Sequence, residues 1–393
     1  MTTYPTYKLG EIAEIILGQS PESKSYNTIG EGLPFFQGKT EFTDWFPIPN
    51  KWCTEPKKIA EPFDVLLSVR APVGPTNIAK EKCCIGRGLA AIRYTDCYKY
   101  LLYYLRSVSK YLESKATGTT FSSISGDTIK NLPIPLPPLA TQRAIVTRIE
   151  TLFAELDKGV EKLKTAQQQL KVYRQAVLND CLSKGSEKWK NVNIQYFLDK
   201  SSRGMITGPF GSALKKSEHQ NFGVPVLGIE NIGEGAFVMP NKIFVTEEKA
   251  KELKGFAVQS EDIIISRSGT VGEICKVPSF MNNALLSTNL IRVRLNLDVI
   301  LADYFVLLFQ CSQIKQQVKD LCKGTTRTFL NQTILNQIQF SLPSLPEQQR
   351  IVQEIETRLS QAELVEASVE QSLQQAEALR QSILKKAFSG ELV

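Results

Sequence analysis

Histidine is almost absent: His219 is the only one in 393 residues. A zinc site built on histidine, a Ser-His-Asp triad or a Cys-His dyad would each have to pass through that one imidazole. Its setting, Lys215-Lys216-Ser217-Glu218-His219-Gln220-Asn221, is polar and reads as a solvated surface loop. The eight cysteines contain no Cys-x-x-Cys pair, so the common zinc and redox motifs are missing as well. Scattered thiols behind an opening MTTYPTYKLG, with no charged-then-apolar leader, point to reduced cysteines in the cytoplasm. Long apolar runs are lacking too. Stretches such as Tyr304–Phe309 fall far short of a bilayer span, and no membrane partner is expected. A nucleotide loop is also excluded. Gly38-Lys39-Thr40 looks like the end of one, but the required spacing puts a glycine where Leu33 stands. Pro34 has no N–H for a phosphate, and Phe35-Phe36 places apolar bulk where the backbone should approach an anion.

What is present is a chain 42% hydrophobic and 22% charged, hence globular, with length for two or three domains. The net charge of +7 permits a polyanionic partner without demanding one. The chain also repeats itself. Residues 136–184 align without a gap on 342–390, an offset of 206. Leu136-Pro137 falls on Leu342-Pro343, Gln142 on Gln348, Ile145-Val146 on Ile351-Val352, and Ile149-Glu150-Thr151 on Ile355-Glu356-Thr357. Gly118-Thr119-Thr120 falls on Gly324-Thr325-Thr326. Further back, DVLLSVRAPVG (64–74) matches DIIISRSGTVG (262–272), and Gly32-Leu33-Pro34-Phe35-Phe36 matches Gly223-Val224-Pro225-Val226-Leu227. The Gly38-Lys39-Thr40 stretch therefore follows one copy of a duplicated turn-then-strand element.

The order is globular region (1–135), long helix (136–185), globular region (186–341), long helix (342–393). In the first helix Thr141 is placed to act as N-cap. Ile145, Ile149, Leu152, Leu156, Leu163, Leu170, Tyr173 and Val177 then follow a heptad seam, as in a coiled coil. The second helix repeats it with Ile351, Ile355, Val365, Val369, Leu379 and Ile383. The first helical segment nets +3 and the second −3, which suits packing against each other. Each globular region mixes short strands, such as Val65–Val69, Ile263–Ser266 and Leu290–Leu295, with helices over Tyr98–Ser114 and Ala302–Leu321. Neither shows a metal cluster or a catalytic carboxylate pair.

This ordered, duplicated set closely resembles the specificity (S) subunit of type I restriction–modification enzymes over essentially the whole chain. The likeness rests on the two Leu-Pro-x-Leu…Gln…Ile-Val…Ile-Glu helix openings and on the Gly-Thr-Thr segments. Thr270-Val271-Gly272 with its twin Pro72-Val73-Gly74, and the paired strands at 33 and 224, add to it. The resemblance implies an α+β fold: two mixed α/β target recognition domains separated by two long helices packed as an antiparallel coiled coil, with a pseudo-twofold internal repeat. It implies a cytoplasmic, non-catalytic host-defence protein that reads one half of a split double-stranded DNA target with each domain. The helices would set the gap and dock two adenine methyltransferase (M) subunits, which bind S-adenosylmethionine; restriction (R) motor subunits would join them. The chain itself would hold no cofactor and no metal. The Asn/Asp-Pro-Pro-Tyr/Phe motif of the methyltransferase is absent from it.

Reading DNA requires Arg, Lys, Asn, Gln, Ser or Thr on loops that face a groove. In the first region the candidates are Gln37, Lys39 and Thr40, just past the Leu33–Phe36 strand, with Arg70, Arg87, Thr119 and Thr120. In the second they are Glu230 and Asn231, the positional counterparts, with Arg203, Lys215, Lys216, Arg267, Ser268, Thr325, Thr326 and Arg327. The competing reading is a coiled-coil scaffold joining two protein-binding domains without nucleic acid. It predicts weak DNA binding with no steep loss on adding salt.

Overall fold

The runs Val65–Ser68 and Ile263–Ser266 are buried at every position. The computed structural model, which describes residues 4–117, 122–184, 186–210, 213–322 and 329–393, places each run inside a four-stranded antiparallel sheet. One sheet runs Glu14–Leu17, Leu89–Arg93, Val65–Ser68, Thr76–Ile78 in spatial order. The other runs Met205–Thr207, Leu290–Val293, Ile263–Ser266, Ile274–Lys276. Their registers correspond, since Leu89 pairs with Ser68 and Leu290 with Ser266. A second sheet in each region contains one parallel pair, Leu33–Phe36 with Cys83–Ile85 and Val224–Leu227 with Leu285–Leu286. The duplication legible in the sequence is thus a duplication of topology.

Two units account for the chain. One comprises Met1–Lys164 with Glu370–Val393, the other Thr165–Val369. In the first, the main core joins Leu67, Tyr100 and Tyr103 to Ile145, Ile149 and Phe153 and to Ile383, Leu384 and Phe388. In the second, Ile265, Phe305 and Phe309 meet Val177, Leu178 and Cys181 and also Ile351, Ile355 and Leu359. Each unit therefore contains a globular region and parts of both long helices, Leu139–Ser183 and Leu345–Ser389. In the second unit Arg174 pairs with Glu363 and Asp180 with Arg358, the descending order of an antiparallel pair.

Three local expectations are corrected. Thr141 is not the N-cap, because the helix begins at Leu139. What fixes its start is Gln142, buried, whose amide donates to Pro137 O (2.9 Å) and accepts from the Tyr94 hydroxyl (3.0 Å). Gln348 repeats this, donating to Pro343 O and Val299 O at 3.0 Å each and accepting from Leu301 N–H (2.8 Å). Each helix expected after the sheet is broken in two, at Val108 and at Cys311. In the second region the break is capped from outside: Asn179 Oδ1 accepts the Ser312 N–H (2.9 Å).

The seam is the third. Ile149, Ile355, Val369 and Ile383 are buried, but Tyr173, Val365 and Leu379 are 44%, 49% and 51% exposed. The inward residues are the next ones along: Phe153 beside half-buried Leu152, Arg174 after Tyr173, Glu366 after Val365, Arg380 after Leu379. Counted from Ile149 and Ile355 the seam steps four then three, where the apolar pattern steps three then four. Long charged side chains can occupy it because their stems pack while their tips reach the facing helix. Within the second unit Arg174 reaches Glu363, and within the first Arg380 reaches Asp157.

All eight cysteines are free thiols, and His219 is half-buried where a solvated loop was expected. Among the described residues no helix is long and apolar enough to cross a membrane, and no group of three or more His, Cys, Asp or Glu could hold a metal.

Candidate nucleic-acid interface

In the first region the Leu33–Phe36 strand ends against a tight turn, Gly86-Arg87-Gly88. Gly86 N–H donates to Phe36 O (2.8 Å) and Val69 N–H donates to Gly88 O (2.9 Å). A Cβ on Gly88 would lie 2.1 Å from Gln37 O, so only glycine permits this approach of two backbones. Continuing the Leu89–Ser68 register by two residues sets Arg87 opposite Arg70. The structure thus gathers Gln37, Arg70 and Arg87 at one end of the sheets, all exposed, with Lys39 and Thr40 in the next turn. Among the described residues no carboxylate pairs with Lys39, Arg70 or Arg87. Arg93, by contrast, is tied to buried Asp64 by two bonds of 3.0 and 2.9 Å, which hold its guanidinium above the usual range. Thr119 and Thr120 lie outside the described residues; beside them, Thr117 and Ser123 pair with each other and Ser123 with Arg70.

The second region builds the same end from different side chains. Ser287 N–H donates to Leu227 O (3.0 Å) and Arg267 N–H to Asn289 O (2.9 Å), the counterparts of the two bonds above. Ser268 is half-exposed and donates its hydroxyl to Asn289 Oδ1 (2.9 Å). Arg267 is corrected as a free groove reader, being only 5% exposed. Its guanidinium stacks between Phe329 (4.0 Å) and Phe210 (5.0 Å) and reaches Thr288 O, and burial alone pushes its pKa down. Asn231 is corrected as well. It is fully buried, accepting from Gly228 N–H (2.9 Å) and donating to Val238 O (2.9 Å) and Asn241 (3.2 Å), which leaves no amide for a base edge.

Glu230 is half-buried in the turn after Gly228. Lys215 and Lys216 are exposed in a short turn whose Glu218 is held by Lys249 (2.8 Å). Arg203 is exposed but lies at the other end of the sheet. It precedes Met205, which pairs with Val293, whereas Arg267 follows Ser266, which pairs with Leu290. Thr325, Thr326 and Arg327 lie outside the described residues. Sequence reasoning missed Thr288 and Asn289. The signal was there, because Leu89-x-x-x-Arg93 and Leu290-x-x-x-Arg294 align at an offset of 201.

The two regions thus repeat one sheet end, with exposed arginines in the first and exposed polar side chains in the second. The chain matches the Methylase_S family, the type I restriction modification DNA specificity domain, over residues 1–165 and 187–375. The chain belongs to this family. Among curated members it is 39% identical over 170 residues to the protein of Methanocaldococcus jannaschii named for the MjaX specificity subunit, covering 42% of this chain and 39% of that protein. The chain thus matches well under two thirds of that relative's length. It is 27% identical over 377 residues to the type I restriction enzyme EcoKI specificity subunit of Escherichia coli K12, covering 90% of this chain and 80% of that one. A chain of a solved structure concerned with complex assembly and conformational transition of the type I R-M system superposes with a TM-score of 0.72. It covers 99% of this chain and 98% of that chain at 18% identity, a likeness of fold alone. By family, this is a sequence-specificity chain of the type I restriction–modification class.

Proposed function

We propose that the chain selects a split DNA target for a type I restriction–modification complex and catalyses nothing itself. Region 1–135 reads one half-site and region 186–341 the other. The segments 136–185 and 342–393 set the unread gap and dock two adenine methyltransferase subunits, which carry the S-adenosylmethionine; restriction subunits join that assembly. The observation that carries this reading is the repeated sheet end, which keeps one backbone frame and changes its side chains. A reader of two different short sequences needs such a frame, because phosphate contacts set register while base-edge contacts specify.

The test is to sequence single DNA molecules from cells carrying this chain with its methyltransferase partner, scoring N6-methyladenine. One motif of two short half-sites around a fixed unspecified gap is the expected result. Absence of methylation, or a single continuous motif, would favour the scaffold reading.

A further inference from the structure

We infer that the turn joining the two sheets of each region is a specificity-determining element, with Arg87 reading a guanine in one half-site and Asn289 an adenine in the other. The inference rests on the function proposed above and assigns residues within it. In the first region the turn is Gly86-Arg87-Gly88, in the second Ser287-Thr288-Asn289.

Its position is over-determined by main chain alone. Gly86 N–H donates to Phe36 O, Leu89 N–H to Gly86 O, Val69 N–H to Gly88 O and Gly18 N–H to Leu89 O, at 2.8 to 3.0 Å. In the second region Ser287 donates to Leu227, Leu290 to Ser287, Arg267 to Asn289 and Gly208 to Leu290, at 2.9 to 3.3 Å. These are the same four bonds at corresponding places. Close backbone approach reinforces them: a Cβ on Gly18 would lie 2.1 Å from Gly86 O, and one on Gly208 would lie 1.8 Å from Ser287 O. The turn therefore cannot drift without breaking contacts to three other segments.

The side chains on this fixed frame differ completely. Arg87 is exposed between two buried glycines, and its guanidinium has no carboxylate partner among the described residues. Its backbone N–H is held by Ser20 Oγ (3.3 Å), so the side chain projects from an anchored point. The counterpart of Arg87 at the offset of 201, Thr288, is half-buried; the exposed side chain of this turn is the next one, Asn289, with its Oδ1 held by the Ser268 hydroxyl. A constant frame with changed exposed side chains is what two readers of unlike sequences require. The chemistry then assigns the bases. Arginine offers two parallel donors that match guanine O6 and N7, and asparagine offers a donor and an acceptor that match adenine N7 and N6.

The test uses the whole complex in cells, with Arg87→Ala and Asn289→Ala compared with wild type by sequencing of N6-methyladenine. Arg87→Ala is expected to make one G·C position of one half-site degenerate, with discrimination there falling roughly 5- to 100-fold. Asn289→Ala is expected to do the same at an A·T position of the other half. Arg87→Gln serves as the second variant should alanine lower the yield of complex; its amide favours adenine at the same position. Unchanged motifs overturn the inference, as does a change of the same half-site by both variants. A uniform fall at every site with no base relaxed makes these residues phosphate contacts only, and overturns it too. A wild-type complex that shows no split motif is instead a failure of the function proposed above.

Discussion

Asp262 shows how much one residue can commit. It is 2% exposed, binds Arg294 through both oxygens at 2.7 Å and accepts Gln259 N–H at 2.7 Å, with Arg292 Nε 4.0 Å away. Asp64 plays the same part for Arg93, but Arg93 also has Glu14 (2.8 Å) and keeps its side chain 29% exposed. Removing a buried carboxylate leaves its arginines as uncompensated charge, which costs about 3–5 kcal/mol when both are desolvated. Asp262→Asn is therefore expected to lower the thermal midpoint of unfolding clearly more than Asp64→Asn. Equal shifts would mean that Arg292 and Arg294 find water or another acceptor. The same reasoning explains which site residues were legible. Arg70, Arg87 and Gln37 are polar residues beside strand ends, and the structure keeps them exposed. Arg267 and Asn231 are of equally suitable type, but Phe210 and Phe329 arrive from elsewhere in the chain against Arg267, and Asn231 turns inward onto Gly228, Val238 and Asn241. Residue chemistry is local, whereas burial is a property of the whole packing.

Among the elements, the repeat and the two long helices were legible because an offset of 206 and a heptad survive without any tertiary knowledge. The phase of the seam was not. Leu152 and Phe153 are both apolar, and Val365 and Leu379 look better suited to a seam than their neighbours Glu366 and Arg380. What decides is the partner: Asp157 across from Arg380 and Glu363 across from Arg174 let arginine stems serve as packing. A ranking follows that reverses the hydrophobicity pattern. Ile355→Ala, at a position 1% exposed, is expected to cost about 2–5 kcal/mol. Val365→Ala, at one 49% exposed, should change stability by under about 0.5 kcal/mol. Thermal unfolding of the full chain checks both, and a large loss at Val365 would restore the phase inferred from sequence.

For the molecule as a whole, the two helices are the part of the proposed function that can be altered without touching either recognition region. The cross-helix pairs limit how. Asp157 meets Arg380 and Arg174 meets Glu363, so shortening one helix alone between these pairs would put one of them out of register. Removing Leu163–Gln169 together with Val369–Gln375 avoids this, because the two segments correspond at the offset of 206 and lie between both pairs. Each globular region then keeps its own helix contacts. Seven residues amount to about 10 Å of helix, or roughly three base pairs at ~3.4 Å each. If the helices set the gap, the paired deletion should leave both half-site sequences unchanged and shorten the unread gap by about that number. The motif of N6-methyladenine in cells reads this out directly. An unchanged gap in a methylating complex would mean that something other than these helices measures the distance. Altered half-sites would mean that the recognition regions depend on the helices for more than spacing.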